Sequence, residues 1–162
     1  MVTATEIAGL RDDEIISNSW LADDLGAKVG DELTLKYFVV AGQRNLREES
    51  RTFRIAEIKP LESPDTSWTP PFPGLSDVEN CRDWEPGIPI ETSRLRPKDE
   101  DYWDEFRGTP KAFISLEAGQ QIWGNRFGNL TAIRYPPSQS PAELERVLLT
   151  KLDPAQVSLA FE

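Results

Sequence analysis

Apolar and polar positions divide the chain into three stretches with different periods. In residues 14–60 a short apolar run, Ile15-Ile16, is followed by Ser17 and Asn18, both good helix caps. A helix through Trp20, Leu21, Ala22 and Leu25 then stops at Gly26, which can take the left-handed conformation. From Glu32 the pattern alternates. Leu33, Leu35, Tyr37 and Val39 share one face of a strand, with Thr34 and Lys36 on the other. A polar stretch over 42–50 turns the chain into a returning strand at 52–58. There Phe53 and Ile55 are in phase and Ile58 is not, which predicts a bulge near Ala56.

Residues 111–162 alternate between the two periods. The pattern predicts a strand at 111–115, a helix at 116–123 ending at Gly124, and a strand at 129–135 with Thr131, Ile133 and Tyr135 on one face. Ser140-Pro141-Ala142-Glu143 is a capping box with proline at the first helical position. Leu144, Val147, Leu148 and Leu152 recur along that helix as a stripe to be buried. Val157, Leu159 and Phe161 alternate as a last strand. The fold class expected is α+β: a β-rich lobe of hairpin plus helix at 1–60, and a β-α-β-α-β lobe at 111–162.

The middle stretch, 61–110, obeys neither period. It holds eight of the 13 prolines and three of the five tryptophans, Trp68, Trp84 and Trp103. Proline removes donors and fixes φ, so 69–74 can be neither an interior helix nor an interior strand. So many large aromatics argue against a disordered linker. The reading is a long ordered insert pinned by its tryptophans, with a short helical turn at 99–106. Trp68, Phe72, Trp84 and Trp103 are the candidate partner contacts, or the residues that shape that surface.

Composition removes more chemistry than it offers. The chain has 162 residues, 18 Lys plus Arg, 28 Asp plus Glu and no histidine, for a net charge of −10. That balance opposes binding to a phosphate backbone, so no nucleic-acid partner is expected. Without histidine there is no Ser–His–Asp or Cys–His catalysis and no His-ligated zinc. Cys81 is the single cysteine, which removes internal disulfides and CxxC redox pairs. Residues 1–6 lack the basic region and apolar core of a signal peptide. The apolar run Phe38-Val39-Val40-Ala41 is far short of the roughly 20 residues a spanning helix needs.

One cluster invites a chemical reading. Asp99, Glu100, Asp101, Asp104 and Glu105 lie beside Tyr102, Trp103 and Phe106, the combination a sugar-binding or sugar-cleaving site uses. The spacing lacks the glycine and closing glutamate of a calcium loop. A solvated acidic turn anchored by Trp103 explains the same residues. No catalytic, cofactor-binding or metal-binding residue is assigned.

Read together, two stretches resemble the extracytoplasmic domain of MacB/FtsX-like ABC transporter permeases. The first is the strand, helix and turn of 14–35, with Leu21-Ala22, Leu25-Gly26 and Lys28-Val29-Gly30-Asp31, followed by the strand at 52–58. The second is 110–120, leading into 130–134 and the capped helix. The resemblance implies a non-catalytic domain on the outer face of the bacterial inner membrane, part of an integral membrane protein. There it would couple ATP-driven motion of membrane helices to a substrate or partner. The partners implied are the rest of the permease, its separate cytoplasmic ATP-binding subunit, a periplasmic protein or a lipid or peptide substrate, and a second copy in a homodimer. The 61–110 insert is longer than the family's usual connector. Only thirteen residues precede Glu14, so the chain reads as part of a larger protein whose 111–162 lobe lacks its pairing half. An open sheet edge there would invite self-association. The rival from another class is a small secreted carbohydrate-binding or glycan-active protein using the 99–106 cluster.

Overall fold

The computed structural model describes residues 1–40, 46–69, 95–125, 128–136 and 138–152. In chain order the elements are β1 (Val2–Thr5), β2 (Glu14–Asn18), α1 (Ser19–Leu25), β3 (Glu32–Val40) and β4 (Leu46–Lys59). There follow α2 (Pro97–Phe106), β5 (Ala112–Ser115), α3 (Leu116–Trp123) and α4 (Pro141–Lys151). The architecture is α+β: among the described residues, one mixed sheet with four α-helices. Two compact units divide after Leu130.

In the first unit the strand order is β1-β5-β2-β4-β3. β1 runs parallel to β5, β5 antiparallel to β2, β2 parallel to β4, and β4 antiparallel to β3. Local signals set most of these boundaries. The Asn18 side chain accepts the Leu21 N–H and starts α1, and Gly26, at φ 63°, ends it. Along β2 and β4, Ile15 pairs with Ile55 but Ile16 pairs with Glu57, so Ala56 is the extra residue of a bulge. The bulge resets the phase, which lets Phe53 and Ile55 stay buried while Ile58 still packs against the core. That core joins Ile15, Phe53, Ile55, Ala112 and Ile114 of the sheet to Ala118 and Ile122 of α3.

Three expectations need correction. Residues 129–135 form no strand; Leu130, Ile133 and Tyr135 are exposed, and the nearest pairing is an isolated bridge between Asn125 and Gly128. β5, the strand it was expected to follow, already has β1 on one side and β2 on the other. For the same reason 111–162 is not a separate sheet with an open edge at its first strand, because β5 completes the sheet begun by residues 2–18. In the second unit, α4 starts at Pro141 as expected but without the capping box, since the Ser140 side chain makes no cap hydrogen bond, and Val147, Leu148 and Leu152 of its apolar stripe are exposed. The last strand expected, at 157–161, falls outside the described residues.

β1 was not anticipated. Its four residues are too few for a periodic signal, and it is held by a parallel partner over a hundred residues away.

Candidate functional site

A group of polar side chains comes together where α1, α2 and the start of β5 meet. The short turn expected at 99–106 is a ten-residue helix that begins at Pro97. Its buried face presents Tyr102, Trp103 and Phe106 to the interior. The Tyr102 ring lies 4.8 Å from that of Trp20 on α1 and 5.2 Å from Phe106. Lys111, just before β5, sets its ammonium over this pair, 3.7 Å from the Trp20 ring centre and 4.5 Å from that of Tyr102. A cation held over aromatic faces is attracted by their negative quadrupole.

The hydrogen bonds close this group into a clamp. Asn18 Nδ2 donates to the Tyr102 hydroxyl (3.1 Å) and to the Pro110 carbonyl (3.2 Å). The Tyr102 hydroxyl in turn donates to the Thr109 carbonyl (3.0 Å). Lys111 Nζ donates to Asp99 Oδ1 (3.1 Å), and Asp99 also accepts from the Arg96 guanidinium (2.8 Å). Arg96 reaches across to Asp24 of α1 (2.7 Å), and Lys98 pairs with the same carboxylate. One asparagine therefore caps α1, holds α2 and fixes the entry to β5.

Two groups of the clamp are shifted away from their ordinary values by these surroundings. The Arg96 guanidinium, helped by Lys111, keeps the Asp99 carboxyl well below the usual carboxylate range, although partial burial works the other way. Burial pushes the Tyr102 hydroxyl up to about 12, against the hydrogen bond from Asn18. A depressed carboxylate stabilises the fold fully above its unfolded pKa of about 4, and that contribution fades as pH falls toward the folded value. The gap in melting temperature between wild type and Asp99→Asn should therefore be complete at pH 7 and start to close below about pH 4. A gap that stays constant down to acid would mean that Asp99 contributes no charge effect.

A cavity of about 230 Å³ lies beside the clamp, lined among others by Tyr102, Trp103, Arg107, Thr109 and Lys111. Arg107 ends α2 at φ 50°, a conformation uncommon for a side chain larger than glycine, and its guanidinium lies 5.7 Å from the Trp103 ring centre. Below it, the base of the 61–110 insert is stapled. The Asp65 N–H donates to Thr109 Oγ1, and Thr69 Oγ1 donates to the Gly108 carbonyl, both at 2.8 Å.

Of the four candidate contact residues, Trp68 is half-buried at this base. Its indole donates to Asp65 Oδ2 (2.9 Å) and its ring meets Phe113 edge-on at 5.8 Å. Trp103 is buried, 8% exposed, so it shapes the cavity wall from beneath and offers a partner no open face. Phe72, Trp84 and Cys81 lie outside the described residues. The acidic cluster separates: Asp99 turns inward to its ion pairs, while Asp101, Asp104 and Glu105 are exposed. The three aromatics that a sugar platform would use are packed beneath the helix. Among the described residues, no three acidic or cysteine side chains are grouped so as to hold a metal.

The sequence marked Asn18 only as a cap and did not mark Lys111 at all. Their link to Tyr102 spans 84 residues in one case, and the nearest available signal was Arg96, three residues before Asp99. Comparison with protein-family models, with curated proteins and with solved structures gives no match.

Proposed function

We propose that this chain is a non-catalytic, extracytoplasmic domain of a MacB/FtsX-like ABC transporter permease. In this reading it carries movement of membrane helices to a substrate or partner protein. One observation supports the reading above the others. Strands β2 and β4 of the first stretch and β5 of the second are neighbours in one sheet, although 130–134 of the second form no strand, and the long insert between them is rooted at one end of that sheet. β4 and β5 both border β2, one parallel and one antiparallel, so Lys59 and Ala112 lie at the same end. The insert leaves and returns there, and its base is tied by Asp65–Thr109 and Thr69–Gly108. A segment fixed at both roots to a sheet moves when the sheet moves, which is what mechanical coupling requires.

The clamp around Asn18, Tyr102, Lys111 and Asp99 fits the same role. Its groups are spent on one another and hold α1, α2 and β5 together. No helix among the described residues is long and apolar enough to cross a membrane. The membrane attachment is therefore sought in the gene around these codons.

The test is topological. The complete reading frame, tagged at its carboxyl end, is expressed in a bacterium, and spheroplasts are treated with protease from outside. The product is expected to sediment with the inner membrane and to be cut within this domain without lysis. A product found in the cytosol, or cut only after lysis, would overturn the reading.

A further inference from the structure

Strand β3 forms one end of the sheet, and among the described residues only β4 pairs with it. Backbone bonds at its start show which of its residues face the open side. Ile55 N–H donates to the Asp31 carbonyl and Gly30 N–H to the Ile55 carbonyl, whereas Arg54 N–H turns away to Asp13, all at 2.8 Å. Antiparallel pairing alternates between bonded and non-bonded pairs. With Leu33 opposite Phe53 and Leu35 opposite Arg51, the odd residues of β3 bond to β4. Glu32, Thr34, Lys36 and Phe38 then present their N–H and C=O groups at the free edge.

Among the described residues nothing covers this edge. It is nine residues long with no proline and no bulge, and the one device of natural edges that it carries is charge, at Glu32 and Lys36. The hairpin also extends past the rest of the sheet. β2 reaches β4 only from Arg54 onward, while β3 pairs with β4 from Arg54 back to Leu46. Most of the ribbon is thus two-stranded, an arrangement that gains from a third strand.

We propose that this edge pairs antiparallel with the same edge of a second copy, with the two-fold axis passing through Thr34. Charge selects both the partner and the register. About that axis Glu32 of each copy falls opposite Lys36 of the other, giving two opposite-charge pairs. Thr34 faces itself, Leu33 faces Leu35, and the three outward pairs exchange six backbone hydrogen bonds. A register centred on Leu35 sets Glu32 against Phe38 and Lys36 against Thr34, and one centred on Lys36 sets the two lysines against each other. The side chains of Glu32, Thr34 and Lys36 are exposed and meet little obstruction. Among the described residues, Lys36 forms a weak ion pair with Glu48 at 3.9 Å, which pairing at the edge leaves in place.

Sedimentation of the 162-residue chain over a range up to millimolar tests the proposal. Wild type should show a reversible monomer–dimer equilibrium. Glu32→Lys places lysine opposite lysine and should weaken the dimer about tenfold or more. It does so while lowering the net charge of each copy from −10 to −8, so weaker general repulsion would act in the opposite direction. Lys36→Glu should weaken it likewise, and an equimolar mixture of the two variants should recover a heterodimer, since both cross-pairs are then attractive. Thr34→Pro removes an N–H that faces the free edge and not β4, so it should abolish the dimer; if it loosens the hairpin instead, the exposed Glu32→Lys carries the test. A wild type that stays monomeric throughout, a Glu32→Lys dimer as tight as wild type, or a mixture that fails to associate would each overturn the proposal.

Discussion

Alanine in place of Gly119 is expected to destabilise the first unit by about 1–3 kcal/mol, and Ala4→Gly to return most of the loss. Gly119 is buried in α3 where that helix crosses β1. A Cβ at this position would lie 2.2 Å from the Cβ of Ala4 and 3.7 Å from its Cα. No side-chain rotation relieves that contact, because both atoms are fixed by backbone. Alanine is ordinarily the better helix residue, by about 1 kcal/mol over glycine. The sign therefore depends on which effect is larger, and a separation far inside van der Waals contact decides for the clash. β1 is the element that should yield. It is four residues long, sits at an edge and pairs only with β5, among the described residues. Amide exchange should accordingly speed up in Val2–Thr5 while β2 and β4 keep their protection. In the double variant the strand loses about 0.5–1 kcal/mol to its new glycine and the helix gains about as much. Urea unfolding of the two single variants and the double should give a coupling energy of about 1–3 kcal/mol. A Gly119→Ala protein at least as stable as wild type would show that α3 and β1 are not in contact.

The parts of this fold that were legible in the sequence are those specified by neighbours along the chain. Asn18 and Gly26 bracket α1, the alternation from Leu33 to Val39 gives β3, and the lost phase between Ile55 and Ile58 reports a bulge at Ala56. The bounds of α3 follow equally directly. Illegible were the features that depend on what lies across space. Thr131, Ile133 and Tyr135 alternate as a strand does, but a period of two becomes a strand only where a partner strand pairs with it, and among the described residues none does. The stripe on α4 is periodic as well, and periodicity says that an apolar face exists, not what covers it. β1 shows the converse, too short for a pattern and made by its partner. At the site, Asp99 read as one of five acids on a solvated turn. What sets it apart is Arg96 at one side and Lys111 on the approach to the next strand, a convergence made by the return of the chain from α2 to β5.

Replacing Asn18 by alanine is expected to cost about 2–4 kcal/mol, the largest loss from any single polar side chain of the clamp. Three separate bonds end at its side chain. Its Oδ1 caps α1 by accepting the Leu21 N–H at 2.8 Å, and its Nδ2 serves both the Tyr102 hydroxyl and the Pro110 carbonyl. The cap alone is worth about 1 kcal/mol. The two donor bonds differ in what their loss leaves behind. Tyr102 keeps its own donation to the Thr109 carbonyl, so it remains partly satisfied. The Pro110 carbonyl is buried and loses the amide donor, and a buried acceptor left without one costs about 1–3 kcal/mol. Asn18→Ser separates the contributions, because a serine oxygen can still cap α1 but is too short to reach both partners across the sheet end. It should recover about the 1 kcal/mol of the cap and no more. The remainder belongs to the clamp, and its loss should also appear locally, as faster amide exchange in α2 and at 108–111 with β3 and β4 unaffected. Recovery to wild-type stability by serine would mean that the cap is the whole contribution of Asn18 and that α2 is held by its aromatic packing and ion pairs alone.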